Sequence, residues 1–386
     1  MADVLSARDI LKALIAFPTI SSASNLPLLD WVESYLAGFG ITGTRTYSPQ
    51  GDKANFYAHI GPDIEGGVVL SGHTDVVPVA GQNWRSDPFE LIERDGRLYG
   101  RGSCDMKAFD ALAIWAAVEA ARRGVRTPLQ LALSYDEEVG CTGCVSMVEE
   151  MAQTLPRASA VIVGEPTNMS VVSGHKGSAG IEIAVKGFEV HSSLMHTGVS
   201  AVMEAAKIID WANTQNGRLW AQEPSGMAAM FEPPFTTIHV GMISGGTAHN
   251  ITAADCQFEI GFRVVPGEDL DDWRAALERK VREVEAQMQA IQPSASITIT
   301  PDFYVPPLLP EPGSKAEILG RALTGDNASR FVSYGTEAGH FQLNGYSVIV
   351  CGPGDIAQAH QPDEYLEVSQ LAAGEAFMER LLTHLA

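Results

Sequence analysis

The chain has little positive charge. Its 26 Lys and Arg stand against 47 Asp and Glu in 386 residues, a formal net charge of −21. Phosphates would be repelled by such a surface, which argues against a nucleic-acid partner. A solvated acidic surface that aids solubility accounts for the imbalance, and a field that draws in cationic substrates or metal ions is the sharper reading. Cysteine is also scarce. The five residues Cys104, Cys141, Cys144, Cys256 and Cys351 are odd in number and irregular in spacing, so no disulfide framework is expected and a reducing cytoplasm is favoured. Cys141-Thr-Gly-Cys144 has no second cysteine pair for zinc and no thioredoxin-like context, so it reads as structural. No apolar run approaches the ~18 residues that would span a bilayer. The opening M-A-D-V-L-S-A-R-D-I lacks a basic stretch followed by an apolar one, which speaks against secretion.

What is present is ordinary for a globular protein: 45% hydrophobic and 19% charged residues. The length exceeds what one core usually supports, so two domains are expected. The first half alternates strand and helix. Apolar positions at helical spacing cover 6–16 and 27–39, with Asn25 and Pro27 placed to start the second helix. K-A-F-D-A-L-A-I-W-A-A-V-E-A-A-R-R-G, after Asp105, is rich in helix formers, basic in its last turn and stopped by Gly124. A strand at 129–135 and a helix at 142–153 follow, which is α/β alternation around a mostly parallel, mixed sheet flanked by helices.

Near Gly177 the pattern changes. Ile181, Ile183 and Val185 alternate with Glu182 and Lys186, the mark of a strand with one exposed face. A helix at 199–214, strands near 236–242 and 254–264, the charged amphipathic helix D-L-D-D-W-R-A-A-L-E-R-K-V-R-E-V-E-A-Q-M and a strand S-I-T-I-T complete a β-α-β-β-α-β order. That order is ferredoxin-like. The chain is thus expected to hold a catalytic domain in two segments, 1–176 and 302–386, with an inserted α+β domain at 177–301.

Four apolar runs read as buried strands: Val68-Val69-Leu70, Leu131-Ala132-Leu133, Val161-Ile162-Val163 and Val348-Ile349-Val350. Beyond them come S-G-H-T-D, D-E-E, G-E-P-T and A-H-Q-P, carrying His73, Glu138, Glu165 and His360; Asp105 joins them from G-R-G-S-C-D. Ligands of open α/β sheets gather at the carboxyl ends of parallel strands. Two imidazoles and three carboxylates suit hard-to-borderline divalent metals. One tetrahedral catalytic zinc takes three protein ligands and a water. Five ligands serve two ions if one carboxylate and one hydroxide bridge; two dications, three carboxylates and a hydroxide then sum to neutrality. Such a site acidifies its water and polarises a carbonyl.

Amide hydrolysis also needs a proton carrier. In the doublet Glu137-Glu138, neighbours at a strand end cannot point the same way, so one can bind metal while the other acts as general base. Asp75, two residues after His73, is placed to accept the second ring N–H of that histidine. Each residue has a plainer role as well: a strand-end His or Glu is commonly structural, Asp105 could cap its helix and Glu137-Glu138 could be a loop acid pair. Their joint occurrence in one order favours the catalytic reading.

S-G-H-T-D-V-V-P, G-R-G-S-C-D-M-K, D-E-E-V-G-C-T-G, V-G-E-P-T, G-F-E-V-H-S-S and A-H-Q-P-D-E-Y together resemble the acetylornithine deacetylase/succinyl-diaminopimelate desuccinylase family of dinuclear zinc amidohydrolases, over nearly the whole chain. The resemblance implies that His73 and Glu165 bind one zinc, Glu138 and His360 the other, and Asp105 bridges. It implies Glu137 as general base and acid, Asp75 as the orienter of His73, and a cis peptide after Asp105. The inserted domain would be lid and dimerisation surface, and its His191 would stabilise the oxyanion in the site of the partner subunit. Asn250 and Arg263 match positions that hold polar groups of the substrate, whereas His196 and His249 read as bystanders. One departure is Ala108, where D-M-K-G is common.

S-Y-G-T-E-A-G-H-F, with Thr336 and Glu337, and H-K-G at 175–177 resemble the acetylornithine branch. Glu337 near the substrate would suit the amine of ornithine by charge pairing, or else brace its loop. The implied reaction is hydrolysis of N2-acetyl-L-ornithine to L-ornithine and acetate by a cytoplasmic homodimer with two Zn²⁺, Co²⁺ or Mn²⁺ being possible substitutes. Desuccinylase, broader aminoacylase and dipeptidase activities, or a metal-free binding protein on the same fold, are the alternatives. Arginine synthesis and catabolic use of N-acetylated compounds both stay open as settings.

Overall fold

A computed structural model describes residues 3–386. The chain divides into two compact units. One runs to Gly174 and resumes at Leu308–Phe331 and Thr336–Ala386; the other comprises His175–Pro307 and Val332–Gly335. The junctions lie at 174/175 and 307/308, against 176/177 and 301/302 expected from the pattern, and a short second excursion at 332–335 has no counterpart in that expectation.

The first unit is built on a mixed eight-stranded sheet. Its order is Gly43–Tyr47, Ala54–Ile60, Leu129–Ser134, Val68–His73, Ala160–Pro166, Val348–Gly352, Val172–His175 and Arg330–Val332. The four middle strands, from Leu129–Ser134 to Val348–Gly352, run parallel. They are buried at every position, as their unbroken apolar runs require when helices cover both faces. Helix Lys107–Arg123 packs on this sheet and against Ala7–Ile15 and Val368–Leu385. It ends where Gly124 takes a left-handed φ of 72° and its N–H returns to the Ala120 carbonyl. A three-stranded antiparallel sheet, Tyr365–Glu367, Arg97–Tyr99 and Ile92–Arg94, lies in the same unit.

The second unit has an antiparallel sheet in the order Thr237–His239, Asp255–Val264, Gly177–Lys186 and Ser296–Val305. Ile243–Gly245 also pairs with Asp255–Val264. The expected single strand near 236–242 is therefore two short ones, broken around Val240–Met242 and both paired to one long neighbour. Helices Ala201–Trp220 and Leu270–Ile291 pack on the sheet, and Ile181, Ile183, Ile260, Phe262, Ile208 and Val284 are in its core. This is the ferredoxin-like order. Among the described residues, no helix is long and apolar enough to cross a membrane.

Candidate metal centre

All four middle strands deliver a candidate ligand from their carboxyl ends. His73 closes Val68–His73, Glu165 is the penultimate residue of strand Ala160–Pro166, and Glu138 and His360 follow Leu129–Ser134 and Val348–Gly352. Asp105 precedes helix Lys107–Arg123 and is joined to Met106 by a cis peptide bond. Glycine before Glu165 has a steric reason: a Cβ on Gly164 would fall 1.9 Å from the ring of Phe109. The doublet Glu137-Glu138 is not at a strand end as expected. The strand stops at Ser134, and Asp136, at φ 56°, turns the chain so that a loop presents both acids.

The five side chains converge. His73 Nε2 lies 3.1 Å from Asp105 Oδ1 and 3.7 Å from Glu165 Oε1. His360 Nε2 lies 3.2 Å from Asp105 Oδ2 and 3.0 Å from Glu138 Oε2. Asp105 thus faces one pair, His73 with Glu165, through one oxygen and the pair His360 with Glu138 through the other. Ligand atoms of His73, Asp105 and Glu138 lie within 4.8 Å of one another, as do those of His73, Glu137 and Glu165.

The electrostatics of this cluster call for cations. Burial, with Asp105 and Glu137 as negative neighbours, pushes the Glu165 carboxyl well above its usual range. Burial and Asp105 push Glu138 up to about 7; burial, partly offset by His73, pushes Glu137 up to about 8. Burial acts the same way on Asp105, but hydrogen bonds from His360 and His73 outweigh it and hold that carboxyl well below the usual range. Hydrogen bonds to Asp105 and Glu138 raise His360 to about 10, and His73 rises well above its ordinary value against the effect of burial. So much buried negative charge, matched by protons alone, is what a pair of dications would relieve. Glu138 Oε1, buried and without a hydrogen-bond partner among the described residues, is a further donor atom available to one. The donor set fits divalent metal.

The supporting layer differs in part from expectation. His73 Nδ1 faces the backbone carbonyl of Asp75 at 2.8 Å, while the Asp75 carboxylate stands 3.6 Å away. A carbonyl acceptor there leaves Nε2 with its lone pair toward the cluster. The carboxylate itself accepts the backbone N–H of Glu137 at 3.1 Å and of Glu138 at 3.3 Å, and the Ser21 hydroxyl at 2.7 Å. Asp75 therefore fixes the acid loop through its carboxylate, and the nearer of its two contacts with the imidazole comes from its main chain. A further supporting residue is Glu364, one residue beyond the P-D of A-H-Q-P-D-E-Y. Its Oε1 accepts the N–H groups of Cys104 (2.8 Å) and Asp105 (3.0 Å), and its Oε2 accepts Arg101 at 2.6 Å. Arg101 and Glu364 are each 1% exposed. Arg101 also donates to Gln82 Oε1 (2.6 Å), and Gln82 donates to the His360 carbonyl (2.9 Å). One chain of contacts thereby holds the segments that carry Asp105 and His360. Its only sequence signal was an acid and an arginine inside motifs already marked for other residues.

Glu337 needs a correction. It is 1% exposed, and its two oxygens accept the hydroxyls of Ser71 (2.5 Å) and Ser134 (2.8 Å) on adjacent strands. A carboxylate so enclosed braces the sheet rather than facing a substrate amine. Thr336 beside it is buried, and its hydroxyl accepts the Ala338 N–H at 3.1 Å. His191, Asn250 and Arg263 belong to the second unit and are exposed. His191 caps the short helix Ser192–Thr197 and has Nδ1 2.8 Å from the Ser193 hydroxyl; the Asn250 carbonyl accepts the Ser192 N–H; Arg263 lies on the open face of Asp255–Val264.

The sequence matches the model of "Peptidase family M20/M25/M40" over residues 69–384. The chain belongs to this family. Curated M20-type relatives include acetylornithine deacetylase of Myxococcus xanthus, 36% identical with 100% of this chain and 99% of that protein covered. Acetylornithine deacetylase of Edwardsiella ictaluri is 31% identical, with 97% and 96% covered. Among solved structures, an M20 metallo-carboxypeptidase from Sulfolobus solfataricus aligns with a TM-score of 0.78 at 16% identity, covering 98% of each chain. A dinuclear metal-binding M20 peptidase from Bacillus subtilis aligns at 0.64 and 15% identity, covering 98% and 97%. These two share the fold. The chain is an M20-family metal-dependent amidohydrolase.

Proposed function

We propose that this enzyme hydrolyses N2-acetyl-L-ornithine to L-ornithine and acetate. The observation that carries the reading is Asp105, set between His73 with Glu165 on one side and His360 with Glu138 on the other. That arrangement supports two ions, with Asp105 as the shared ligand. The relatives named acetylornithine deacetylase support the choice of substrate. Two Zn²⁺ are the proposed occupants, and when bound they would acidify a water and polarise the acyl carbonyl.

The chain's own residues do the rest. Glu137 takes the proton of the attacking water and passes it to the amide nitrogen as the C–N bond breaks, so ornithine leaves as an amine and the acyl group as acetate. Asp75 keeps Glu137 and Glu138 in place through their backbone N–H groups. His191 is assigned to the developing oxyanion, and Asn250, Arg263 and Thr336 to the polar groups of the substrate. The enzyme works in the cytoplasm as a homodimer joined through the second unit.

Amine release from N-acetylornithine, N-succinyl-diaminopimelate, N-acetylmethionine and a dipeptide tests this, with zinc- or cobalt-loaded enzyme and a chelated control. Chelator-sensitive preference for N-acetylornithine is expected. Preference for another acyl compound would overturn the substrate, and binding without turnover of any would overturn the enzyme reading. Glu137→Ala should keep its metal and lose roughly 10²-fold or more in kcat.

A further inference from the structure

The Cys141-Thr-Gly-Cys144 pair has no place in the chemistry above. It folds as part of the turn that presents Glu137. The N–H groups of Gly140 and Cys141 both donate to the Glu137 carbonyl, at 3.0 and 2.8 Å, and that of Thr142 to the Asp136 carbonyl at 3.2 Å. Cys141 has φ 54°, in the left-handed region that non-glycine residues rarely occupy. Its side chain is turned inward, 2% exposed, with Sγ 3.1 Å from Glu137 Oε1. Cys144 opens helix Cys144–Thr154 and its thiol donates to the Cys141 carbonyl at 3.2 Å. Both cysteines are free thiols acting as donors within one turn.

We infer that Cys141 is a positioning residue for the general base: its S–H holds Oε1 of Glu137 and leaves Oε2 to take the proton of the attacking water. The inference rests on the proposed role of Glu137. Carboxylate rotation is the freedom at issue, because the turn already fixes the Glu137 backbone. A thiol suits the task because it is a weak donor, which orients a carboxylate without strongly favouring its charged form. Cys144 acts one step back, by tying the carbonyl of the left-handed residue to the start of a helix.

The test uses zinc-loaded enzyme. Cys141→Ala and Cys141→Ser keep the same backbone demand, since both replacements carry a Cβ, and differ in whether a donor remains. Cys141→Ala is expected to lower kcat roughly tenfold with KM and zinc content unchanged, and Cys141→Ser to recover most of that loss. The S–H stretch of Cys141, identified by infrared difference against Cys141→Ala, should shift to that of a free thiol in Glu137→Ala. An unshifted band, or equal kcat in the Ala variant and the parent, overturns the inference. If Cys141→Ala misfolds, Cys141→Ser, which also lacks the thiol, supplies the infrared difference, and the Glu137→Ala band still decides it. Activity surviving in Glu137→Ala would instead overturn the base assignment, whatever the thiol does.

Discussion

The parallel strands of the first unit and the antiparallel sheet of the second handle polar residues in opposite ways. Val68–His73 and Leu129–Ser134 have no exposed position, so Ser71 and Ser134 must find a partner inside, and both find Glu337. Asp255–Val264 alternates exposed and buried, and its Glu259 stands opposite Glu182 of the neighbouring strand with water to solvate both. The difference teaches where chemistry can be stored. Strands buried on both faces concentrate unsatisfied charge at their ends, while a half-exposed sheet disperses it along its outer face.

Substitutions in the two regions should therefore differ by orders of magnitude. The largest effect belongs to Asp105→Asn, which weakens the one carboxylate shared by both histidines. Activity should fall more than about 100-fold, beyond what losing a supporting contact costs, with fewer than two metals per chain by elemental analysis. Next is Glu364→Gln, which leaves Arg101 buried without its charge partner. A stability loss of roughly 3–5 kcal/mol is expected by denaturant unfolding, with lower affinity for metal. A stable variant with full activity would remove Glu364 from the account of the site.

A smaller effect depends on pH. Burial lowers His340 to about 4, and its Nε2 has no hydrogen-bond partner among the described residues. The unfolded chain takes up a proton near pH 6.5 and the folded chain does not, so this residue costs nothing above pH 6.5. Its penalty grows as pH falls from 6.5 towards 4. His340→Gln should flatten part of the acid-side decline in Tm over that window; an unchanged slope would show that the residue does not contribute. The smallest effect is on the second unit: Glu182→Thr relieves a like-charge pair across two strands and should change stability by only a few tenths of a kcal/mol, in the favourable direction. A large loss there would break the contrast between the two sheets.

How legible each part was follows from the range of the interactions involved. Strands such as Val161–Val163 were plain because continuous apolarity is a local property, and Gly124 marked a helix end because a left-handed cap needs it. The break between Thr237–His239 and Ile243–Gly245 was not plain: it depends on two short segments sharing one long partner. In the site, His73, Glu138, Glu165 and His360 stood out through residue type and position at or beyond strand ends, and Asp105 through its motif ahead of a helix. Glu364 did not, because its partners are backbone N–H groups some 260 residues away, which leave no trace in composition. The enclosure of Glu337 was hidden for the same reason, since Ser71 and Ser134 become its neighbours only when their strands pair.

The position of Val348–Gly352 also has a consequence for biosynthesis. Val350 pairs with Val163 on one side and Val172 on the other, so a strand near the end of the chain fills a place between two made much earlier. On the ribosome, Ala160–Pro166 must wait with an unpaired edge while the whole second unit is synthesised. Only when the last segment emerges can the sheet close and bring His360 to the ligands that preceded it. The second unit, whose strands are contiguous in sequence, has no such delay, so the unit that carries the metal centre is the last to be completed and the longest exposed to misassembly.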